Sequence, residues 1–184
     1  FPYTTLFRSD DKRVEVAFAP AEVEAATDAD LDHLAGLLAD PVVMRFYPAP
    51  RTRAEAAAWI AGNRRRYAQD GHGLWIIETH DDGGPGFVGD CGLTWQEVNG
   101  EPRLEVGYHV LLERQGQGLA TEGASACLRH GFETLDATMV TAIINPDNMA
   151  SRRVAERIGM TVWKRTRDPS RAPIVVYSSH GQEA

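Results

Sequence analysis

Leu104-Glu105-Val106-Gly107-Tyr108-His109-Val110-Leu111 runs straight into Leu112-Glu113-Arg114-Gln115-Gly116-Gln117-Gly118-Leu119-Ala120-Thr121-Glu122, and this passage decides the fold. The first part reads as a strand in which Glu105 alternates away from Leu104, Val106 and Tyr108. Gly116 and Gly118 then allow a tight turn with close approach of a ligand to the backbone. A helix starting at Leu119 adds its first unpaired N–H groups and the positive end of its dipole. The spacing therefore places an anion such as phosphate at Gln115, Gly116, Gln117, Gly118, Leu119 and Ala120.

Two familiar phosphate loops compete for these residues, and each fails at a defined position. A dinucleotide fingerprint starting at Gly116 and Gly118 needs a third glycine where Thr121 stands. A P-loop through Gly118 and Gly123 needs a lysine where Ala124 stands. What fits is Q/R-x-x-G-x-G/A, carried by Gln115, Gly118 and Ala120. Upstream lies Glu105-Val106-Gly107-Tyr108. Downstream come Asn148-Met149-Ala150-Ser151 and Val154-Ala155-Glu156-Arg157-Ile158-Gly159-Met160. In order, spacing and residue type this set resembles the GNAT superfamily of acetyl-CoA-dependent N-acetyltransferases, and within it the RimJ/RimL branch, which modifies protein N-termini. The resemblance is specific over residues 87–160, looser over 28–70 and absent before Ala21.

Working outward, the chain alternates helices and strands. Leu31, Leu34, Leu37 and Leu38 recur at helical spacing between Asp28 and Asp40, and Thr52-Arg53-Ala54-Glu55 is a capping-box pattern that opens a helix over 53–69. Strands are predicted over 74–79, 87–96 and 103–110, joined by hairpin-like connections at 81–86 and 98–101. A helix over 119–134, a strand over 138–144, a helix over 149–158 closed by Gly159, and strands near 161–165 and 174–178 complete the pattern. Strand, helix and strand around the glycine turn imply a parallel pair with a right-handed crossover, and the hairpins imply antiparallel neighbours. The resemblance turns this into a three-layer GNAT-like α/β fold. Its central sheet is mixed and largely antiparallel, with one splayed parallel pair and flanking helices.

Phe1-Pro2-Tyr3-Thr4-Thr5-Leu6-Phe7-Arg8-Ser9 can be encoded in frame by a widely used sequencing-adapter oligonucleotide, and we read residues 1–9 as an artefact of read assembly. Residues 10–20 are then an uncertain segment in which the family's usual first strand is not clear, and residues 21–184 form a single acetyltransferase domain. A length of 184 residues suits one domain. No apolar run approaches the roughly 20 residues of a membrane helix, and no signal peptide leads the chain, so a cytoplasmic protein is expected. A net charge of −7 argues against general nucleic-acid binding, and Arg64-Arg65-Arg66 reads as a solvated helix face. Cys91 and Cys127 lack metal-ligand spacing and fit reduced, buried residues. The six histidines show no metal-binding pairs, so no metal is implied.

Acetyl transfer from a thioester to an amine needs a neutral nitrogen, a polarised carbonyl and a departing thiolate. A free α-amine has a pKa of about 7.7 to 8.0 against about 10.4 for lysine, so a carboxylate acting through water suffices for the former. Glu105 is the candidate base, with pairing to Arg103 or a neighbouring strand as its alternative role. The resemblance implies that backbone N–H groups near His109, Val110 and Leu111, on a splayed or bulged strand, polarise the thioester carbonyl. His109 is either a second base or an ordinary strand histidine. Asn148 suits a helix cap, and by resemblance bonds the pantetheine arm. Many superfamily members carry a tyrosine acid seven residues later, where this chain has Ala155. The branch instead presents a serine, matching Ser151, which either donates to the sulfur or caps the helix. Glu122 supports the first helical turn through the dipole. The acceptor is a primary amine, either a protein N-terminus or a small molecule, bound by residues 41–53 and the C-terminal hairpin of a monomer or homodimer. A domain that binds acyl-CoA without turnover is the alternative of a different class.

Overall fold

The structure is a computed structural model that describes residues 14–16, 28–81 and 84–181. The adapter-derived reading of residues 1–9 lies outside the described residues. Seven strands form one sheet in the order β1-β2-β3-β4-β5-β7-β6. In chain order these are β1 (Val14–Val16), β2 (Leu74–Asp81), β3 (Gly84–Val98), β4 (Glu101–Val110), β5 (Met139–Ile144), β6 (Thr161–Arg167) and β7 (Pro173–His180). The helices are α1 (Asp28–Ala39), α2 (Arg53–Asp70), α3 (Leu119–Glu133) and α4 (Met149–Arg157). β1 falls inside the segment whose strand the sequence does not reveal, and pairs antiparallel with β2.

Local chemistry sets the element ends. Thr52 caps α2, its hydroxyl accepting from Glu55 N while Glu55 accepts from Thr52 N at 2.7 Å, and Gly71 ends the helix at φ 75°. Asn99 and Gly100, at φ 54° and 81°, make a two-residue turn between the paired residues Val98 and Glu101. Gly159 follows α4 at φ 84°.

β4 and β5 form the parallel pair, and it registers only at Glu105 opposite Thr141. Beyond that point the strands splay, as the resemblance implies. The irregularity nearby lies in β3 and not in β4: Ile77 pairs with Gly89 and Glu78 with Phe87, leaving Val88 as the extra residue. The β3–β4 ladder stays in register from Val98–Glu101 to Gly89–Val110.

The period of two along β4 serves both faces of the sheet. Leu104, Val106 and Val110 join the main core with Leu119, Ala124, Cys127 and Leu128 of α3 and Ala155 of α4. A second cluster packs Leu38, Met44 and Ala56 against Leu31 and Trp59, holding α1 to α2 on the other side. Cys91 and Cys127 are free, fully buried thiols with sulfurs 3.4 Å apart.

Candidate active site

The glycine turn has the conformation its sequence demands. Gly116 lies at φ 74° and Gly118, at the N-cap position of α3, at φ 87°. No side chain caps α3, so its leading N–H groups face outward for a ligand. A Cβ built on either glycine meets nothing within 4 Å, which leaves room for a pyrophosphate against bare backbone. Gln115 ties the turn to the end of β4, its Nε2 donating to Val110 O at 3.0 Å. Gln117 Nε2 likewise donates to Glu113 O.

Leu111 N donates to Val88 O at 2.9 Å, so this N–H is already engaged and is not available to polarise a carbonyl. In an antiparallel ladder bonded and non-bonded pairs alternate, which makes Gly89–Val110 the non-bonded pair. The Val110 N–H then points away from β3, into the gap from which β5 has diverged. Of the three residues His109, Val110 and Leu111, Val110 is the one whose N–H the β3 ladder leaves free.

Asn148 caps α4, its Oδ1 accepting from Ser151 N at 3.1 Å. Ser151 is half-buried, and its carbonyl accepts from the Tyr108 hydroxyl at 2.9 Å. Tyr108 thus pins β4 to α4. Ala155, at the position of the superfamily's tyrosine, is fully buried in the core.

Glu105 stands at the fork of β4 and β5. Its Oε1 accepts from Ile143 N at 3.1 Å, taking the place of a strand carbonyl where the ladder has opened. No ion pair with Arg103 forms, because Arg103 reaches Glu101 and the Pro102 carbonyl. The Glu105 carboxylate keeps partial contact with solvent but is ringed by protein. Burial pushes its pKa up to about 7, against smaller opposite effects from the Ile143 N–H and His109.

His109 is no ordinary strand histidine. It is buried, with Nδ1 2.6 Å from Asp90 Oδ1 and Nε2 2.8 Å from the Tyr47 hydroxyl. The Trp59 ring meets it edge-on at 6.0 Å. Burial works to lower the His109 pKa, but Asp90 beside it outweighs that and the net direction is upward. Sequence reasoning missed Asp90 and Tyr47. A lone carboxylate inside the apolar run Phe87–Leu93 was the available signal for the first. Tyr47 lies in the segment assigned to the acceptor pocket.

A cavity of about 330 Å³ brings together part of this set, and Glu105 and Asp90 are not in its lining. Gly116 and Gly118 line it from the cofactor turn, Asn148 and Ser151 from α4, and Tyr47 and His109 from the opposite layer. Val42, Val43 and Phe46 also contribute, as expected of residues 41–53, whereas the C-terminal hairpin β6–β7 does not reach it. Among the described residues no helix is long and apolar enough to cross a membrane.

An open backbone cradle that shares one cavity with a buried histidine, beside a forked parallel pair, suits a group-transfer enzyme. The sequence profile of the acetyltransferase (GNAT) domain matches residues 22–161, and the chain belongs to this acyltransferase family. A Bacillus subtilis (strain 168) protein, YkkB, is 38% identical over 151 residues, 82% of this chain and 86% of its own. Among solved structures, an acetyltransferase from Agrobacterium tumefaciens str. C58 superposes with a TM-score of 0.75 at 23% identity, over 95% of this chain and 94% of that one. RimL, a ribosomal L7/L12 alpha-N-protein acetyltransferase solved in complex with coenzyme A, superposes with a TM-score of 0.69 at 17% identity, covering 93% and 96%. The two structural likenesses are of fold.

Proposed function

We propose that this protein transfers the acetyl group of acetyl-CoA to a primary amine by direct attack in a ternary complex, without a covalent enzyme intermediate. The observation that carries the reading is the shared cavity, which is lined both by the glycine turn and by Tyr47 and the buried His109 it is bonded to. The Gln115–Ala120 turn would hold the pyrophosphate, Asn148 the pantetheine arm and the Val110 N–H the thioester oxygen. Ser151 would donate to the departing sulfur. Glu105 would take the proton that frees the amine.

The pKa of Glu105 favours one class of acceptor. Proton transfer from an α-ammonium to a carboxylate near 7 is about one unit uphill, whereas from lysine it is more than about three. An α-amine, as at a protein N-terminus, therefore suits this base. The test is thiol release from acetyl-CoA across a panel of peptides with free N-termini, amino acids, polyamines and lysine side chains in N-blocked peptides. Turnover on N-terminal peptides is expected. Turnover confined to polyamines or blocked-peptide lysines would remove the α-amine preference.

Acetyl-CoA itself should stabilise the fold. A ligand at 100 times its Kd adds about 2.7 kcal/mol, which for a chain of this size is a rise of roughly 5–10 °C in Tm. A flat melting profile at saturating acetyl-CoA would remove the assignment. Gly118→Val places a branched side chain at φ 87°, a strain of about 1–2 kcal/mol, and in the space left for phosphate. The variant is expected to fold and to lose at least about tenfold in acetyl-CoA affinity by calorimetry, roughly 1.4 kcal/mol. Unchanged affinity would place the cofactor elsewhere.

A further inference from the structure

Acetylation of an ammonium removes two protons from the nitrogen, one before attack and one as the tetrahedral adduct forms. Glu105 accounts for the first. We infer that the Asp90–His109–Tyr47 chain takes the second, with the Tyr47 hydroxyl touching the acceptor nitrogen. The inference rests on the acetyltransferase reading and deepens it.

The geometry fixes the direction of the chain. Nδ1 of His109, at 2.6 Å from a carboxylate oxygen, carries its proton toward Asp90. Nε2 of the neutral ring is then an acceptor, and the Tyr47 hydroxyl donates to it at 2.8 Å. That leaves the lone pairs of the Tyr47 oxygen free of the ring, and Tyr47 lines the cavity and is 40% exposed to solvent. His109 and Asp90 are only 8% and 2% exposed, so solvent does not compete for the ring. Asp90 Oδ2 has no hydrogen-bond partner among the described residues, which concentrates the carboxylate's pull on His109.

In the step itself the amine nitrogen bonds to the thioester carbon and its extra proton passes to the Tyr47 oxygen. The hydroxyl proton of Tyr47 moves at the same time to His109 Nε2. The carbon–sulfur bond breaks and the thiolate leaves with the bonding pair. The imidazolium remains paired with Asp90 until it returns its proton through Tyr47 to the thiolate or to water. Tyr47 does not work as a free phenolate, because burial and then the nearby Glu105 and Asp90 hold its pKa above the usual phenol range. It accepts a proton only while passing its own onward. His109 and Asp90 act through Tyr47 and are positioning residues.

The charged groups around His109 are Asp90 from β3, Glu105 from its own strand, and Arg51 from the segment before α2, with Tyr47 beside it as a neutral phenol. The two carboxylates favour the protonated ring and Arg51 opposes them. Below the His109 pKa the ring donates to Tyr47 and the chain cannot accept.

The test compares Tyr47→Phe with Glu105→Gln at pH 7 and pH 9.5, on whichever amine of the panel the wild type turns over fastest. Tyr47→Phe is expected to lower kcat by about 10²-fold at pH 9.5 and by a smaller factor at pH 7, where the raised His109 pKa leaves more of the ring protonated. Its acetyl-CoA affinity should be unchanged and its Tm lowered by a few degrees at most, as His109 Nε2 loses its donor. The loss in Glu105→Gln should shrink at pH 9.5, where an α-amine is already neutral. Asp90→Asn should lower kcat likewise, and ¹⁵N NMR should show its His109 titrating at lower pH than in the wild type. A Tyr47→Phe variant with wild-type kcat at both pH values overturns the relay while the acetyltransferase reading stands. A loss that disappears at pH 9.5 overturns the second-proton role by assigning the hydroxyl to the first. Wild-type protein that acetylates no amine of the panel overturns the parent reading, and the relay with it.

Discussion

Glu105→Gln is expected to turn over about 10² to 10⁴ times more slowly than wild type at pH 7 while becoming more stable at that pH and above. The two effects share one cause. Burial raises the carboxylate pKa from 4.5 to about 7, so the folded state binds this proton more tightly than the unfolded chain. The stability associated with that proton is fully present below about 4.5 and is lost as pH rises through about 7. Above pH 7 the fold carries an ionised, poorly solvated carboxylate, and glutamine removes that cost of roughly 1–3 kcal/mol after allowance for its partial solvent contact. The amide oxygen still accepts from Ile143 N. Melting curves from pH 5 to 9 should show the variant gaining on wild type as pH rises. If Glu105→Gln is instead less stable at pH 8 and keeps wild-type kcat, the carboxylate serves to hold the fork together and the base lies elsewhere.

Gly89→Ala is expected to have the largest effect on folding. β3 and β4 approach so closely that a Cβ at Gly89 would fall 1.9 Å from His109 O and 2.9 Å from its carbonyl carbon. Backbone cannot swing aside as a long side chain does, so the ladder must separate beside the Asp90–His109 pair. Forced overpacking costs about 1–3 kcal/mol or more, which corresponds to roughly 2–12 °C in Tm. Activity should fall further than stability, because the shift moves the imidazole. Differential scanning calorimetry decides it: an unchanged Tm would mean that the strands do not approach this closely.

The parts of this fold that were legible in the sequence are those governed by neighbours in the chain. The capping box at Thr52 and Glu55, the Asn99–Gly100 turn and Gly159 after α4 each satisfy backbone groups only a few residues away. Sequence expectation and structure accordingly agree there to within a few residues. β1 escaped because three residues at a sheet edge carry too little alternation to register. The bulge at Val88 also escaped, since it reflects how three strands share hydrogen bonds and not what Val88 is.

The same distinction holds in the site. Glu105 and Gly118, the proposed base and phosphate-turn residue, are picked out in the sequence by position relative to one turn. The relay draws His109 to partners 19 and 62 residues away, and no local pattern ties Asp90 or Tyr47 to it. His109 looked like a strand residue because its role depends on what crosses over it. The resemblance marks a region, His109 to Leu111, and the ladder's alternation distinguishes within it a bonded N–H at Leu111 from one turned away from β3 at Val110.

The alternation along β4 also bears on how such a protein changes over generations. Even-numbered residues from Leu104 to Val110 face the layer that carries the glycine turn and α4, while His109 faces Tyr47 and Trp59 in the other. On the proposed reading, a single strand separates the half that would hold the acyl donor from the half that would meet the acceptor. Substitutions at Val42, Val43 and Phe46 would reshape the acceptor side of the cavity while leaving Tyr47 and the Gln115–Ala120 turn in place, so one lineage of this architecture could exchange acceptors while inheriting its donor unchanged.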